Sequence, residues 1–191
     1  AKAQWLANLL DGDAFEILTL KDFPDCGEPS ETGATPEENA KLKAAYYARL
    51  CDCVICNDSG LYIEELPMND SRQPGLHVRT PDGFRMKDVQ MIDYYVKLVE
   101  TLGGRVTCFY LNGFAVCRSG TVQGMTESVE YALLRAFDMV STPHPARLEG
   151  WPLDSLSIDR KSGLYFVERS AADEKGQQTN QALQAFLRNC L

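Results

Sequence analysis

Histidine is nearly missing from this chain: His77 and His144 are the only two in 191 residues. Neither stands in a metal or nucleophile motif, so a Cys-His catalytic pair has little to stand on. Positive charge is also short, with 19 Lys and Arg against 27 Asp and Glu and a formal net charge of −8. That balance argues against a protein that grips nucleic acid through its phosphate backbone, which needs a basic face. No apolar run approaches the roughly 20 residues needed to span a bilayer, which argues against membrane insertion. Neither a P-loop nor a dinucleotide fingerprint is present, and there is no internal repeat or low-complexity tract.

Seven cysteines are there, odd in number and unevenly spaced, and the chain opens on polar and mixed residues rather than an apolar signal segment. This pattern predicts reduced thiols in a cytoplasm. Cys51-x-Cys53-x-x-Cys56 invites a zinc reading, but no second paired cluster follows, and the segment also reads as a buried strand. An acidic chain of this kind can still bind triphosphates, provided a divalent metal and a few placed lysines neutralise the site.

With 45% hydrophobic residues, the chain can build one substantial core, or two lobes sharing a cleft; one compact domain is the default. Trp5, Leu6, Leu9 and Leu10 recur at helical spacing, and Phe15 to Leu20 alternates like a strand. Thr35 caps a helix that has Pro36 at its first position and Glu38 three residues beyond the cap, and that runs to about Leu50. Cys53 to Cys56 reads as a short buried strand, Asn57-Asp58-Ser59-Gly60 as a turn, and Leu61 to Leu66 as extended. Asn69 to Arg85 is loop-rich, and Val89, Ile92, Val96, Val99 and Leu102 mark the buried stripe of another helix. Arg105 to Cys117 and Thr121 to about Tyr131 read as long strands joined at Ser119-Gly120. Ser141 to Pro152 is a connection. The last helix spans about Ala172 to Leu187, with Leu183, Phe186 and Leu187 inward. Strands mixed with helices predict an α/β or α+β fold with a mixed, twisted central sheet flanked by helices.

The segment richest in chemistry is Glu31-Thr32-Gly33-Ala34-Thr35-Pro36-Glu37-Glu38-Asn39-Ala40-Lys41-Leu42-Lys43-Ala44. On a helix, Asn39 and Lys43 share one face, so an amide and an ammonium project toward one place. Glu31, ahead of the helix, can hold a hard cation that bridges phosphate oxygens. Each feature has a plainer reading: Glu38 completing a capping box, Lys43 solvating an exposed face. A second segment, Asn57-Asp58-Ser59-Gly60-Leu61, puts a carboxylate at the end of a buried strand, where α/β folds commonly bind ligands; alone, Asp-Ser-Gly is usually a turn.

Taken together, these two segments, followed by Gln73-Pro74-Gly75-Leu76-His77-Val78-Arg79, resemble the inosine triphosphate pyrophosphatase family at each landmark in order, over residues 1 to about 79. The resemblance implies a two-lobed fold with a cleft, a homodimer, a magnesium ion, and hydrolysis of non-standard purine nucleoside triphosphates to monophosphate and pyrophosphate. It implies that Asp58 activates water and contacts the metal, that Glu31 is a metal-binding acid, and that Lys43 contacts phosphate. Asn39, Ser59 and Gly60 fall on the same motifs as substrate contacts.

Several positions depart from the family pattern. Asn57 stands where the family has the first acid of Asp-Asp-Ser-Gly. Gly150-Trp151-Pro152-Leu153-Asp154 resembles a drifted Gly-Phe-Gly-Tyr/Trp-Asp-Pro, which makes Trp151 a base-stacking ring and Asp154 a nearby polar contact. Glu174-Lys175 resembles the Glu-Lys ahead of the family's Ser-His-Arg, with Lys175 on phosphate and Thr179 and Asn180 near the Ser and His positions; the arginine has no counterpart. The family opens with a strand and a Thr-x-Asn-x-x-Lys loop; here Lys2 takes the lysine's place and the N-terminal strand is expected to be missing. These losses set up a rival expectation, a catalytically weakened nucleotide-binding or regulatory protein on the same fold.

Overall fold

The computed structural model describes residues 9–10, 16–169 and 180–191. Lys2, Lys175 and Thr179, and most of the first expected helix, lie outside the described residues. The chain divides into two compact units, Ala1–Ser59 with Asn112–Glu127 and Gln178–Leu191, and Gly60–Leu111 with Ser128–Gln177. Five strands form one sheet: β1 (Cys53–Ile63), β2 (Arg105–Arg118), β3 (Thr121–Thr126), β4 (Phe137–Val140) and β5 (Ser157–Ile158), in the order β1-β2-β4-β5 with β3 also on β2. The expected mixture of helices with a central sheet is found. The β2–β3, β2–β4 and β4–β5 pairs are all antiparallel.

In the first unit, helix α1 (Pro36–Tyr47) starts where its cap predicts. Thr35 Oγ1 accepts the Glu38 N–H at 3.1 Å, and the Glu38 carboxylate reaches back to the Ala34 N–H at 2.7 Å, which satisfies two amides that a helix start leaves open. The strand β2 alternates, so its two faces bury different partners. Ala115 and Cys117 pack with Ala40 and Ala44 of α1, while Phe114 and Val116 pack with Leu183 and Leu187 of the last helix, α4 (Gln181–Cys190). Leu183 and Leu187 are fully buried, each worth about 1.5–3 kcal/mol of hydrophobic stabilisation.

The contact between α1 and β2 needs a glycine. A Cβ on Gly113 would lie 2.1 Å from the Glu37 nitrogen and 2.3 Å from the Pro36 carbonyl carbon, so only a residue without a side chain lets the helix start sit on the strand.

The second unit is built on the other ends of β1 and β2, with β4 and β5. Its core gathers Leu61, Ile63, Val106, Cys108, Phe137 and Met139 from the strands. Helix α2 (Asp88–Thr101) lays Met91, Ile92, Tyr95 and Val99 on that core. The buried stripe is thus rotated from the expected one, and Val89 is 69% exposed. Tyr95 carries the difference: its ring is large enough to centre the face, and its hydroxyl finds the Val78 carbonyl at 3.1 Å.

Three further local expectations are corrected. The Asn57–Gly60 turn is instead continuous strand, because β1 is paired along β2 and Asn57 donates its amide to the Gly113 carbonyl at 3.2 Å; pairing overrides local turn preference. Residues 16–19 of the expected Phe15–Leu20 strand join no ladder, and Leu20–Asp22 forms a 3-10 turn. The Asp22 carboxylate takes the Thr19 N–H at 2.7 Å and its hydroxyl at 3.0 Å, a local bond that competes with a ladder. The second long strand stops at Thr126, and Ser128 caps a short helix α3 (Val129–Leu133) by accepting the Tyr131 N–H at 3.2 Å.

Candidate active site

Four of the residues singled out in the sequence meet within the first unit. Helix α1 presents Asn39 and Lys43 on one face, β1 presents Asp58, and the loop before α1 brings Glu31. Lys43 Nζ stands 2.7 Å from Asp58 Oδ1 and 2.8 Å from Glu31 Oε1. Asn39 donates its amide to Asp58 Oδ2 at 3.0 Å, and its own oxygen accepts the Gly33 N–H at 2.8 Å. Both oxygens of Asp58 are therefore oriented, one by a charge and one by a neutral donor. Asn39 is buried, and the side chains of Lys43 and Asp58 are 18% and 15% exposed, against 53% for Glu31.

Burial works against the charge on Lys43, but its bonds to Asp58 and Glu31 outweigh that cost and hold its pKa above the ordinary lysine value. Lys43 and Glu31 also line a cavity of about 570 Å³, together with Tyr47, Cys56 and Asn57 among others, a size common among ligand pockets.

Two carboxylates directed at one cation are a donor set that suits magnesium, which usually takes one or two protein carboxylates and completes its shell with water and phosphate oxygens. Among the described residues, no group of three or more His, Cys, Asp or Glu is arranged to hold a metal by itself. The thiols of β1 offer little as ligands: burial, only partly offset by Lys43, pushes Cys56 up to about 11, away from the thiolate that metals bind. Asn57 has its amide on the Asp58 and Gly113 carbonyls at 3.0 and 3.2 Å.

Ser59 follows Asp58 on β1 and so points to the opposite face of the strand. There it donates to Asn112 Oδ1 at 2.6 Å; Asn112 donates to Glu127 Oε2 at 2.9 Å, and Asn180 donates to Glu127 Oε1 at 3.1 Å. The structure thus places Asn180 at the start of α4, where its oxygen accepts the Leu183 N–H at 2.9 Å, rather than beside Asp58. Asn112 and Glu127 were not singled out in the sequence. The available signal was an amide inside the apolar run Leu111-Asn112-Gly113-Phe114, which calls for a buried partner.

Gly60, Trp151 and Asp154 belong to the second unit. A Cβ on Gly60 would meet the Gly75 carbonyl oxygen at 3.2 Å, in the stretch where Leu61 N–H bonds that oxygen at 2.9 Å. Trp151 is 63% exposed, and Asp154 follows it in the 3-10 turn Pro152–Ser155. The residue before the tryptophan is anchored. Arg79 donates to Asp88 at 2.8 Å and to the Gly150 carbonyl at 3.0 Å, while Gly150 N–H returns to Asp88 at 2.8 Å. The Arg79 guanidinium, with the Gly150 amide, holds the Asp88 carboxyl below its usual range. No described helix is long and apolar enough to cross a membrane.

Comparison with known proteins places this geometry in a family. A dITP/XTP pyrophosphatase of Nitratidesulfovibrio vulgaris is 33% identical over 184 residues, covering 91% of this chain and 82% of that protein. One from Geobacter sulfurreducens is 36% identical over 88 residues, or 46% of this chain and 42% of that protein. The chain thus matches less than half the length of the Geobacter relative. Among solved structures, a HAM1 protein from Coxiella burnetii superposes with a TM-score of 0.69 at 17% identity, covering 98% of this chain and 93% of the other. The Staphylococcus aureus Ham1 protein gives 0.66 at 21% identity with the same coverage. These two likenesses speak for the fold. Since the sequence profile of the Ham1 family matches residues 1–130, well over half of the sequence, the chain belongs to the Ham1 family.

Proposed function

We propose that this chain is a magnesium-dependent nucleoside triphosphate pyrophosphatase, which cleaves non-standard purine nucleoside triphosphates to monophosphate and pyrophosphate. The observation that carries this reading is Lys43 set between Asp58 and Glu31 at 2.7 and 2.8 Å, with Asn39 orienting the other Asp58 oxygen. It combines a phosphate-seeking ammonium, a positioned carboxylate base and two hard-cation ligands in one place.

The charges in the site explain the need for metal. One ammonium against two carboxylates repels a polyphosphate, and a divalent cation reverses that sign. Glu31 and Asp58 would hold it, and when bound it offsets the charge that develops on the departing pyrophosphate. The protein's own groups do the rest. Asp58 orients a water toward the α-phosphorus and takes its proton as the new P–O bond forms and the bond to the bridging oxygen breaks. Lys43 moves to phosphate oxygens and shares the negative charge of the leaving group. Pyrophosphate leaves in one piece, because attack is at the α-phosphorus.

Trp151 offers a flat apolar face for a purine, with Asp154 beside it as a polar contact. The substrates named in the relatives, dITP and XTP, are deaminated purine nucleotides, and the reading extends to them. A homodimer in a cytoplasm is the expected setting. The test is a panel of standard and deaminated nucleoside triphosphates with magnesium, scored for pyrophosphate. Release of pyrophosphate, fastest from the deaminated purines, is the expected result; release from none of them, or stepwise orthophosphate, overturns the reading.

A further inference from the structure

Lys43 occupies the place that a cation held by both carboxylates would need. Its ammonium is within 2.7 Å of Asp58 Oδ1 and 2.8 Å of Glu31 Oε1, while magnesium–oxygen distances are about 2.0–2.1 Å. A metal ion held by the same two oxygens would compete with the Lys43 ammonium for them. Nor can Asp58 readily turn to offer its other oxygen. That oxygen is bonded by Asn39, which is buried and itself fixed by the Gly33 N–H.

Resting on the function proposed above, we infer that Lys43 is an internal stand-in cation, which makes divalent-metal binding at Glu31 and Asp58 conditional on a polyphosphate. Without a nucleotide, the ammonium stays between Asp58 and Glu31 and keeps both carboxylates satisfied. A triphosphate gives it a stronger partner; Lys43 then leaves the carboxylates and the metal enters as the phosphates do. Metal and nucleotide thus bind with positive coupling, each raising the affinity for the other by the same factor. The arrangement also keeps Asp58 paired and oriented in the resting protein, since an unpaired, partly buried carboxylate would be costly.

The test is titration of the full chain with Mn2+ alone, followed by calorimetry and by the electron-spin signal of the free ion. Lys43→Met should bind Mn2+ at least about tenfold more tightly than the parent, a conservative figure for removing a unit charge at contact distance. Lys43→Arg keeps the charge and should gain nothing. Lys41→Met removes a neighbouring charge that pairs with Glu37 instead, and should gain less than about twofold. Adding Glu31→Gln to Lys43→Met should abolish the gain, and a non-hydrolysable triphosphate analogue should tighten Mn2+ on the parent chain. Circular dichroism checks that each variant is folded. If folded Lys43→Met binds Mn2+ no better than the parent, if Lys41→Met gains as much, or if the gain survives Glu31→Gln, the inference is overturned. None of these measurements needs turnover. A chain that shows the gain but releases no pyrophosphate retains metal gating and loses the pyrophosphatase reading; the opposite result does the reverse.

Discussion

Asn39 donates to Asp58 at 3.0 Å while accepting the Gly33 N–H at 2.8 Å, so one buried amide ties the loop before α1 to the strand that carries the carboxylate. Its position four residues before Lys43 makes the pair act as a two-point holder for Asp58. Asp58→Asn should retain the fold yet lower the rate of pyrophosphate release by about 10²–10⁴-fold, the usual worth of a positioned general base. Asn39→Ala removes only the holder, leaving Asp58 chemically intact but free to rotate, with an expected cost of about 1–3 kcal/mol in stability for the unmade buried bond. Its kcat should fall less than that of Asp58→Asn, with KM nearly unchanged. Wild-type turnover in Asp58→Asn would move the base elsewhere.

The raised pKa of Lys43 fixes a pH dependence of stability. The folded value lies above the unfolded one, which is near about 10.4. The contribution of its ion pairs is therefore complete below that unfolded value, and is lost as pH rises through the higher, folded value. Urea unfolding of the parent and of Lys43→Met should differ by a constant amount from about pH 7 to 10 and converge above that. A difference that persists unchanged to higher pH would show that the ammonium does not carry it.

How far the sequence revealed this site depended on whether the relevant interactions are local. The cap at Thr35 and the four-residue step from Asn39 to Lys43 are properties of one helix, and both are found as read. Asp58 could be named but its neighbourhood could not: the segment from Asn57 to Gly60 has turn chemistry, and only pairing with β2 holds it extended. Asn180 was named from its place in a motif resemblance, and the structure adds what the sequence did not show: it caps α4 and bonds the buried Glu127. Glu127 itself had no readable signal, since its partners Asn112 and Asn180 are 15 and 53 residues away.

Gly113 tests whether the helix that carries Asn39 and Lys43 must sit directly on β2. Its missing Cβ would fall 2.1 Å from the Glu37 nitrogen and 2.5 Å from its Cα, against backbone that cannot turn away. Gly113→Ala should cost at least about 1–3 kcal/mol of stability, as other overpacked sites do. It should also lower pyrophosphate release beyond what unfolding explains, because the start of α1 is pushed off its seat. Unfolding curves together with kinetics on the folded fraction separate the two effects. An alanine variant of parental stability would mean that the helix start yields without consequence.

Trp151 offers the sharpest separation between binding and chemistry. Its ring is 63% exposed, yet its neighbour Gly150 is held by Arg79 and Asp88, an arrangement that presents a large apolar face on an anchored turn. If a purine stacks on that face, Trp151→Ala removes about 1–3 kcal/mol of binding, the range for base–aromatic stacking, and should raise KM by roughly fivefold to a hundredfold. The rate at saturation should stay within about twofold, because the ring touches the base in ground and transition states alike. Trp151→Phe should recover most of the loss. The only other tryptophan is Trp5, so in a Trp5→Phe background the emission of Trp151 should be quenched on adding nucleotide. An unchanged KM in Trp151→Ala would place the base against a different surface, and a kcat that falls with KM unchanged would give the ring a part in aligning the α-phosphorus instead.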